Sequence, residues 1–394
     1  MSWTEVGNSK MKIGLVIEYF DPRRGGAEHW TFQLAERLLK RGYEVHVVSQ
    51  GFGPDAARLP IVAHELGAIS SRLGRAKAAE KKLRSLTLDV IHDVGMGWFC
   101  DVFQSQDGSR IAQWERKLLL LPPWARPFKR QMVRVLPRYR EFRKLAAGQF
   151  ADPGRIMLAV SKMVARDYQH YHAVRPEQIR VVYNGVDTHR FSPAHRQIHR
   201  ESVRGRLDVG AKEVVFLFVG HDFRRKGLAT ALRAIGRLLA GGAPVRLIVA
   251  GGKRTGRYVR MARRCRASRA VTFLGPIGDP VPYYAAADAC VLPTFYDPCS
   301  LVVLEAAASG LPSVTTRANG AGELLTDGVD GFLLRDPGND EELADRLGDL
   351  LHPAVRRRME DAARQLALQH TLDRSCDQIV DVYHEIARSQ RRAA

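Results

Sequence analysis

The feature that most constrains this fold is a strand–glycine–helix unit that opens the chain and starts again past its middle. Lys12 to Ile17 is an apolar run of strand length. Gly25-Gly26 follows, then Ala27 to Arg41 with helical periodicity, ended by Gly42, and a second strand from Glu44 to Ser49. A strand that feeds a helix that feeds a strand is a crossover unit, and repeated crossovers build a parallel sheet covered by helices. Asp89 to Ile91, Ile156 to Val160 and Ile179 to Val182 are expected to extend this sheet. The pattern restarts with a strand at Val214 to Val219, a helix at Leu228 to Leu239 and a strand at Val245 to Ala250. Val271 to Leu274, Ala289 to Leu292 and Ser313 to Thr315 continue it.

Two doubly wound α/β domains are therefore expected, and 394 residues accommodate both. The polar, basic stretch from Phe191 to Gly210 reads as a linker, and Asp373 to Arg391 as a closing helix. The domains are expected at residues 1–190 and 191–372, with a terminal helix at 373–394 returning to the first. In doubly wound sheets ligands sit at the carboxyl ends of strands, so the loops that leave those ends are where chemistry is sought.

Apolar residues make up 45% of the chain, enough to fill two cores. No apolar run approaches the roughly 20 residues that span a bilayer, and Met1 to Lys10 lacks a signal-peptide pattern. The five cysteines are scattered, odd in number and without zinc-site spacing, which fits a reducing cytoplasm. The formal charge is +19, from 61 Lys and Arg against 42 Asp and Glu. Such a field attracts nucleic acid, anionic lipid or phosphorylated substrates without choosing among them. A generally arginine-rich proteome would account for part of it.

Two segments concentrate that charge. Between Arg116 and Lys144 basic residues alternate with Leu118 to Leu121, Trp124, Phe128 and Met132, and Glu141 is the one acid. Cations interleaved with aromatic and aliphatic side chains suit an element lying on an anionic membrane. A helical hairpin with a solvated basic face is the plainer reading. Lys253 to Arg269 is equally basic but has few apolar residues, and reads as a solvated face.

Three loops carry candidate chemistry. Phe295 to Ala306 follows a strand and opens a helix, whose free N–H groups at Ser300, Leu301 and Val302 would form an anion site. Asp297 stands just ahead of it, within reach of a sugar hydroxyl. Glu305 sits inside the helix in an apolar run, where a carboxylate is costly unless paired or facing a cleft; a ribose diol is a suitable partner, and a local donor the plainer one. Gly220 to Gly227, with His221, Arg225 and Lys226, again joins a strand to a helix. Cations there can clamp a diphosphate although the helix dipole disfavours them. Gly25-Gly26-Ala27-Glu28 lets backbone approach a ligand but is shorter than a dinucleotide fingerprint.

The order Gly25-Gly26-Ala27-Glu28, Tyr183-Asn184-Gly185-Val186-Asp187 with Phe191, Arg225-Lys226-Gly227, then Asp297 to Glu305 resembles retaining glycosyltransferase family 4 over nearly the whole chain. His221-Asp222-Phe223 and the basic insertion make it most similar to the bacterial lipopolysaccharide-core heptose glucosyltransferases. The resemblance implies the GT-B architecture, two Rossmann-like domains facing across a cleft. It implies a UDP-glucose donor and a glycolipid acceptor at the inner face of the cytoplasmic membrane. It also assigns roles: Arg225 and Lys226 would hold the diphosphate, Glu305 the ribose, and Asp297 the donor sugar. Backbone near Ser300 and Leu301 would contact sugar and phosphate, Gly25 and Gly26 would approach the phosphate, and Asp107 would lie near the acceptor. Two residues depart from the family pattern: Asp297 where Glu is usual, and His221 where Arg is usual. Both bear on donor-sugar identity. No metal is implied, since the chain has no Asp-x-Asp pair and the cationic clamp can do that charge work. A soluble acceptor, and a non-catalytic polyanion binder, are the alternatives.

Overall fold

The computed structural model describes residues 10–393, so the expectation about the first residues falls mainly outside the described ones. The chain divides into two compact units: unit 1 comprises residues 1–160, 164–182 and 375–394, and unit 2 comprises 161–163 and 183–374.

Unit 1 holds a parallel sheet of β1 (Lys12–Val16), β2 (Glu44–Ser49), β3 (Val62–Glu65), β4 (Val90–Asp93), β5 (Val102–Phe103), β6 (Ile156–Ala159) and β7 (Ile179–Val181). Their order is β3-β2-β1-β4-β5-β6-β7. The crossovers are made by α1 (Gly26–Lys40), α2 (Arg72–Leu83), α3 (Arg110–Leu118), α4 (Ala125–Val135), α5 (Pro137–Phe150) and α6 (Lys162–His172). Ile13, Leu15, Val45 and Val47 are fully buried and pack with Trp30, Leu34 and Leu38 of α1. Such continuous apolar strands are what a sheet covered on both faces requires. The short strands β3 and β5 are not among the expected ones: β3 is largely exposed, and β5, although apolar and buried, is only two residues long.

Unit 2 repeats the winding. It contains α7 (His195–Arg206), β8 (Val214–Val219), α8 (Leu228–Ala240), β9 (Val245–Ala250), α9 (Gly256–Arg264), β10 (Val271–Gly275) and α10 (Val281–Ala286). It continues with β11 (Ala289–Val291), α11 (Leu301–Ala308), β12 (Ser313–Thr316), β13 (Gly331–Leu334), α12 (Asp340–Asp349) and α13 (Pro353–Gln369). The parallel order is β10-β9-β8-β11-β12-β13.

The reading of Phe191 to Gly210 as a linker is corrected: its centre is the helix α7, part of unit 2. It escapes a hydrophobicity reading because charge fastens it. Arg200 and Arg204 both bond the buried Asp288 carboxylate, each at 2.5 Å, and Arg204 also donates to the Ala286 carbonyl at 2.9 Å. Asp288 in turn accepts from Val215 N–H at the start of β8.

The last helix, α14 (Leu372–Ala393), places Cys376, Ile379, Val382 and Ile386 in the unit 1 core. Arg41 pairs with Asp377 at 2.5 Å and Arg180 with Glu385 at 2.6 Å. Its Tyr383 hydroxyl lies 2.6 Å from Nδ1 of His92, which is fully buried in β4 with its ring edge-on to Trp30.

Burial pushes His92 down to about 3, so it stays neutral in the folded state while an unfolded histidine titrates near 6.5. Unfolding therefore takes up a proton below that pH. This contribution to stability is complete above about pH 6.5 and is lost toward pH 3, at about 1.4 kcal/mol per pH unit. All five tryptophans lie in the first 124 residues, so tryptophan fluorescence during urea unfolding reports unit 1. We expect its midpoint to fall on acidification, and His92→Gln to flatten the fall by about one proton; an identical slope in both proteins contradicts a neutral, buried His92.

Candidate active site

In unit 2 the strand order reverses between β8 and β11, and such a switch point is where doubly wound sheets bind ligands. The loops leaving these two strands are cross-bonded. Phe295 N–H and the Thr294 hydroxyl donate to the Arg225 carbonyl at 2.8 and 3.1 Å, and the Arg225 guanidinium donates to the Tyr296 carbonyl at 2.9 Å. The Lys226 ammonium is ion-paired with the Asp297 carboxylate, with both side chains largely buried. Gly227 closes the first loop at φ +80°, and a Cβ there would meet the Pro293 carbonyl oxygen at 1.9 Å. Only glycine satisfies both conditions.

A third loop, after β12, completes the cradle. Asp297 N–H donates to the Ala318 carbonyl at 3.0 Å, and Gly320 N–H to the Asp297 carbonyl at 2.8 Å. The Asn319 side-chain oxygen accepts from Ala321 N–H at 3.1 Å and from Ser300 N–H at 3.3 Å. The expectation that Ser300 offers its own N–H to an anion is thereby corrected. Ser300 caps α11 in an extended conformation, with its hydroxyl buried and unpartnered among the described residues. The N–H groups of Leu301 and Val302, in the first turn, have no acceptor within the helix. The start of α11 thus leaves two amides without a helical acceptor and one buried hydroxyl without a partner among the described residues.

Glu305, one turn further on, is partly buried and accepts a hydrogen bond from the Tyr284 hydroxyl at 2.8 Å. Burial raises its pKa; the Tyr284 bond and the positive charges of Arg190 and Lys226 pull it back. Lys226 therefore acts on Glu305 as well as on Asp297. The local donor considered for Glu305 exists, and it is Tyr284. Burial in turn pushes the Tyr284 phenol well above its usual range, keeping it a donor. Arg225, Lys226, Asp297, Ser300 and Glu305 thus fall around one switch point, flanked by Leu301 and Val302 at the helix start, while His221 is exposed in the β8 loop.

Sequence reasoning missed Tyr284, Asn319 and Arg190. Asn319-Gly320 is a turn signal after a strand and was legible. Tyr284 lies in an otherwise apolar helix, and nothing local announces a bond to a residue 21 positions away.

In unit 1, Gly25 precedes α1 in an extended conformation open to any residue, and a Cβ there would meet only the flexible Glu28 carboxylate, at 2.8 Å. Gly26 begins the helix. Burial raises the Glu28 pKa, Arg24 lowers it, and the charges of Asp107 and Glu18 raise it further. Asp107 therefore shares a neighbourhood with the Gly25-Gly26 turn. It is exposed and lies 3.9 Å from Arg110.

The basic insertion forms the last turn of α3, all of α4, and the first part of α5. Glu141 ties it to α2 by accepting from the Ser71 hydroxyl and Leu73 N–H. Trp124 is 82% exposed, Phe128 73% and Met132 36%. At spacings of four they line one side of α4. The plainer reading, with the apolar side chains buried, fails for these three residues. The side chains of residues 133–135, 137 and 138, which include two of the expected cations, lie outside the described ones.

Two family profiles match: "Glycosyltransferase Family 4" over residues 24–190 and "Glycosyl transferases group 1" over residues 213–353. The D-inositol 3-phosphate glycosyltransferase of Corynebacterium jeikeium is 30% identical over 395 residues, covering 93% of each chain. That of Acidothermus cellulolyticus is 26% identical over 94% of this chain and 88% of its own. That of Corynebacterium urealyticum, 29% identical, matches over 63% of this chain, which spans 61% of that protein. Among solved structures, WaaG, a glycosyltransferase involved in lipopolysaccharide biosynthesis, superposes with a TM-score of 0.77 at 21% identity, over 94% of this chain and 99% of its own. Anabaena HepE in complex with UDP-glucose does so at 0.71 and 20%, over 97% and 99%. At these identities the structural likeness shows the fold, a GT-B pair of Rossmann-like domains.

Gly227→Ala combines left-handed strain, about 1–2 kcal/mol, with the Pro293 collision. We expect it to destabilise unit 2 by about 3 kcal/mol or more, measured by urea denaturation followed by circular dichroism. Wild-type stability in this variant would mean that the two loops are not packed backbone against backbone.

Proposed function

The chain belongs to glycosyltransferase family 4, whose members transfer a sugar from a nucleotide diphosphate donor, and from that premise we propose how its own residues carry out the transfer. The donor is a UDP-hexose, with glucose favoured. Lys226 and Arg225 hold the diphosphate together with the first-turn amides of α11 and the Ser300 hydroxyl. Glu305 accepts from the ribose hydroxyls, and Asp297 contacts the sugar. The observation that carries this reading is the convergence of Lys226, Asp297 and the start of α11 on one switch point.

Chemically, the leaving group is a phosphate on which negative charge grows as the glycosidic bond breaks. Fixed cations and backbone N–H groups aimed at that charge stabilise it more in the transition state than in the ground state. Lys226 carries three donor hydrogens, so it can keep its bond to Asp297 while donating to a phosphate oxygen. The proposed course is front-face displacement with retention, in which the leaving phosphate takes the proton of the attacking acceptor hydroxyl. The cationic clamp makes this reading metal-independent. Asp107 would serve the acceptor side, and residues 191–372 the donor. His221 stands beside the clamp and would touch the donor sugar.

The acceptor has two readings, each with its own support. The sequence relatives named above are D-inositol 3-phosphate glycosyltransferases, which favours a soluble, phosphorylated acceptor. The exposed Trp124, Phe128 and Met132 on a basic helix favour a glycolipid acceptor of the lipopolysaccharide-core kind, met at the inner face of the cytoplasmic membrane. Among the described residues no helix is long and apolar enough to cross a bilayer, so a membrane reading means peripheral contact. Trp124→Ser with Phe128→Ser separates the two. Under the glycolipid reading it weakens binding to anionic vesicles and slows transfer to a vesicle-borne acceptor at least tenfold. Under the soluble reading it leaves transfer to inositol phosphate unchanged.

A ligand that binds only the native state stabilises it by about 2.7 kcal/mol at one hundred times its dissociation constant. We expect UDP to raise the melting temperature of the wild-type chain, and Lys226→Ala and Glu305→Ala each to abolish that shift. An undiminished shift in both would overturn the site. The Tyr284 bond favours the ionised form of Glu305, so UDP affinity is lost as pH falls through a raised carboxylate pKa. Tyr284→Phe removes that bond, and the acidic limb of UDP binding should move to higher pH; an unmoved limb would show that Tyr284 does not tune Glu305.

A further inference from the structure

Unit 2 carries a second concentration of charge that the donor site does not use. Eight Lys and Arg lie between Lys253 and Arg269, on the loop after β9, on α9 and on the turn beyond it, with no Asp or Glu among them. All eight are exposed. Five arginines elsewhere in this unit have carboxylate partners: Arg200 and Arg204 pair with Asp288, Arg233 and Arg237 with Asp340, and Arg246 with Glu213. None of the eight has a carboxylate ion-pair partner among the described residues, and Arg257 lies over the Tyr258 ring. Against a formal charge of +19 for the whole chain, this one patch gathers a disproportionate share.

The helix is built to display it. Tyr258 and Ala262 are buried and Phe223 packs edge-on against Tyr258, which fixes one side of α9 to the unit. Arg257, Arg260 and Arg264 recur at spacings of three and four on the other side, where they form one face. Like charges so close repel one another, and the arrangement gains stability only against a surface of opposite charge. No large apolar side chain is exposed in the patch, so insertion into a hydrocarbon layer is not its mode.

We propose that the α9 face is a purely electrostatic contact for an anionic lipid bilayer, separate from the apolar, inserting face of α4. The proposal rests on the membrane reading of this chain's acceptor. A bilayer fits the patch better than nucleic acid because it asks for no groove or stacking surface. The patch offers no exposed aromatic ring on which a base could stack. Lysines and arginines held near an anionic leaflet bind it additively, and that attraction fades within a Debye length and with added salt.

The test is sedimentation of the full chain with vesicles of phosphatidylcholine alone and of phosphatidylcholine with phosphatidylglycerol. It compares wild type, the variant Arg257→Gln/Arg260→Gln/Arg264→Gln, and Trp124→Ser/Phe128→Ser. A UDP thermal shift equal to wild type shows that the α9 variant is folded. The expected result is at least tenfold weaker binding of the α9 variant to anionic vesicles. That difference should vanish at 0.5 M NaCl and be absent on phosphatidylcholine. If only the α4 variant loses binding, the α9 proposal fails while the membrane reading stands. If wild type binds neither vesicle, both fail. If the α9 variant binds vesicles as wild type does but loses binding to random-sequence RNA, the face belongs to nucleic acid and the proposal is overturned.

Discussion

The ion pair between Lys226 and Asp297 is the constraint on which the rest of the site depends. It joins the loop after β8 to the loop after β11, two segments 71 residues apart in sequence. A largely buried ammonium and carboxylate pay a desolvation penalty that is offset only by good geometry and further bonds. The surroundings supply those bonds. Arg225 binds the second loop through its carbonyl and its guanidinium. Gly227 lets the backbones touch, and the loop after β12 holds Asp297 through its main chain on both sides. A cation placed this rigidly costs little reorganisation when negative charge develops beside it, which is what phosphate departure demands.

Most of the fold was legible because both sheets are buried on two faces. Val214–Val219 and Val245–Ala250 announce themselves as apolar runs, and their boundaries coincide with the observed strands. What was not legible includes an element in which polar contacts replaced apolar burial. Helix α7 exposes Ile198 and is fastened by Arg200 and Arg204 to Asp288, so a scan for apolar periodicity passes over it. Strand β3 lies at a sheet edge with little buried surface.

The site divides in the same way. Residues at the junctions of strands and helices could be named from the chain, because a junction in a doubly wound sheet has only one functional address. Lys226 and Asp297 were named as candidates on that logic, and Glu305 as a carboxylate inside an apolar helical run; the structure pairs the first two and sets the third within their electrostatic reach. The groups that orient them were missed: the Asn319-Gly320 turn signal was there to read, but the bond of Asn319 to Ser300, like that of Tyr284 to Glu305, is brought about by the fold. The one misassigned group, the Ser300 N–H, is satisfied by the side chain of Asn319, a partner supplied by a different loop.

Hydrogen exchange with and without UDP tests the central claim, that the start of α11 and the Arg225-Lys226 loop grip the diphosphate. Amides that bind a ligand are protected in proportion to the free energy of their opening. The account predicts slowed exchange in peptides covering residues 222–228 and 299–305. Protection confined to unit 1, or to parts of unit 2 away from these two loops, would contradict it.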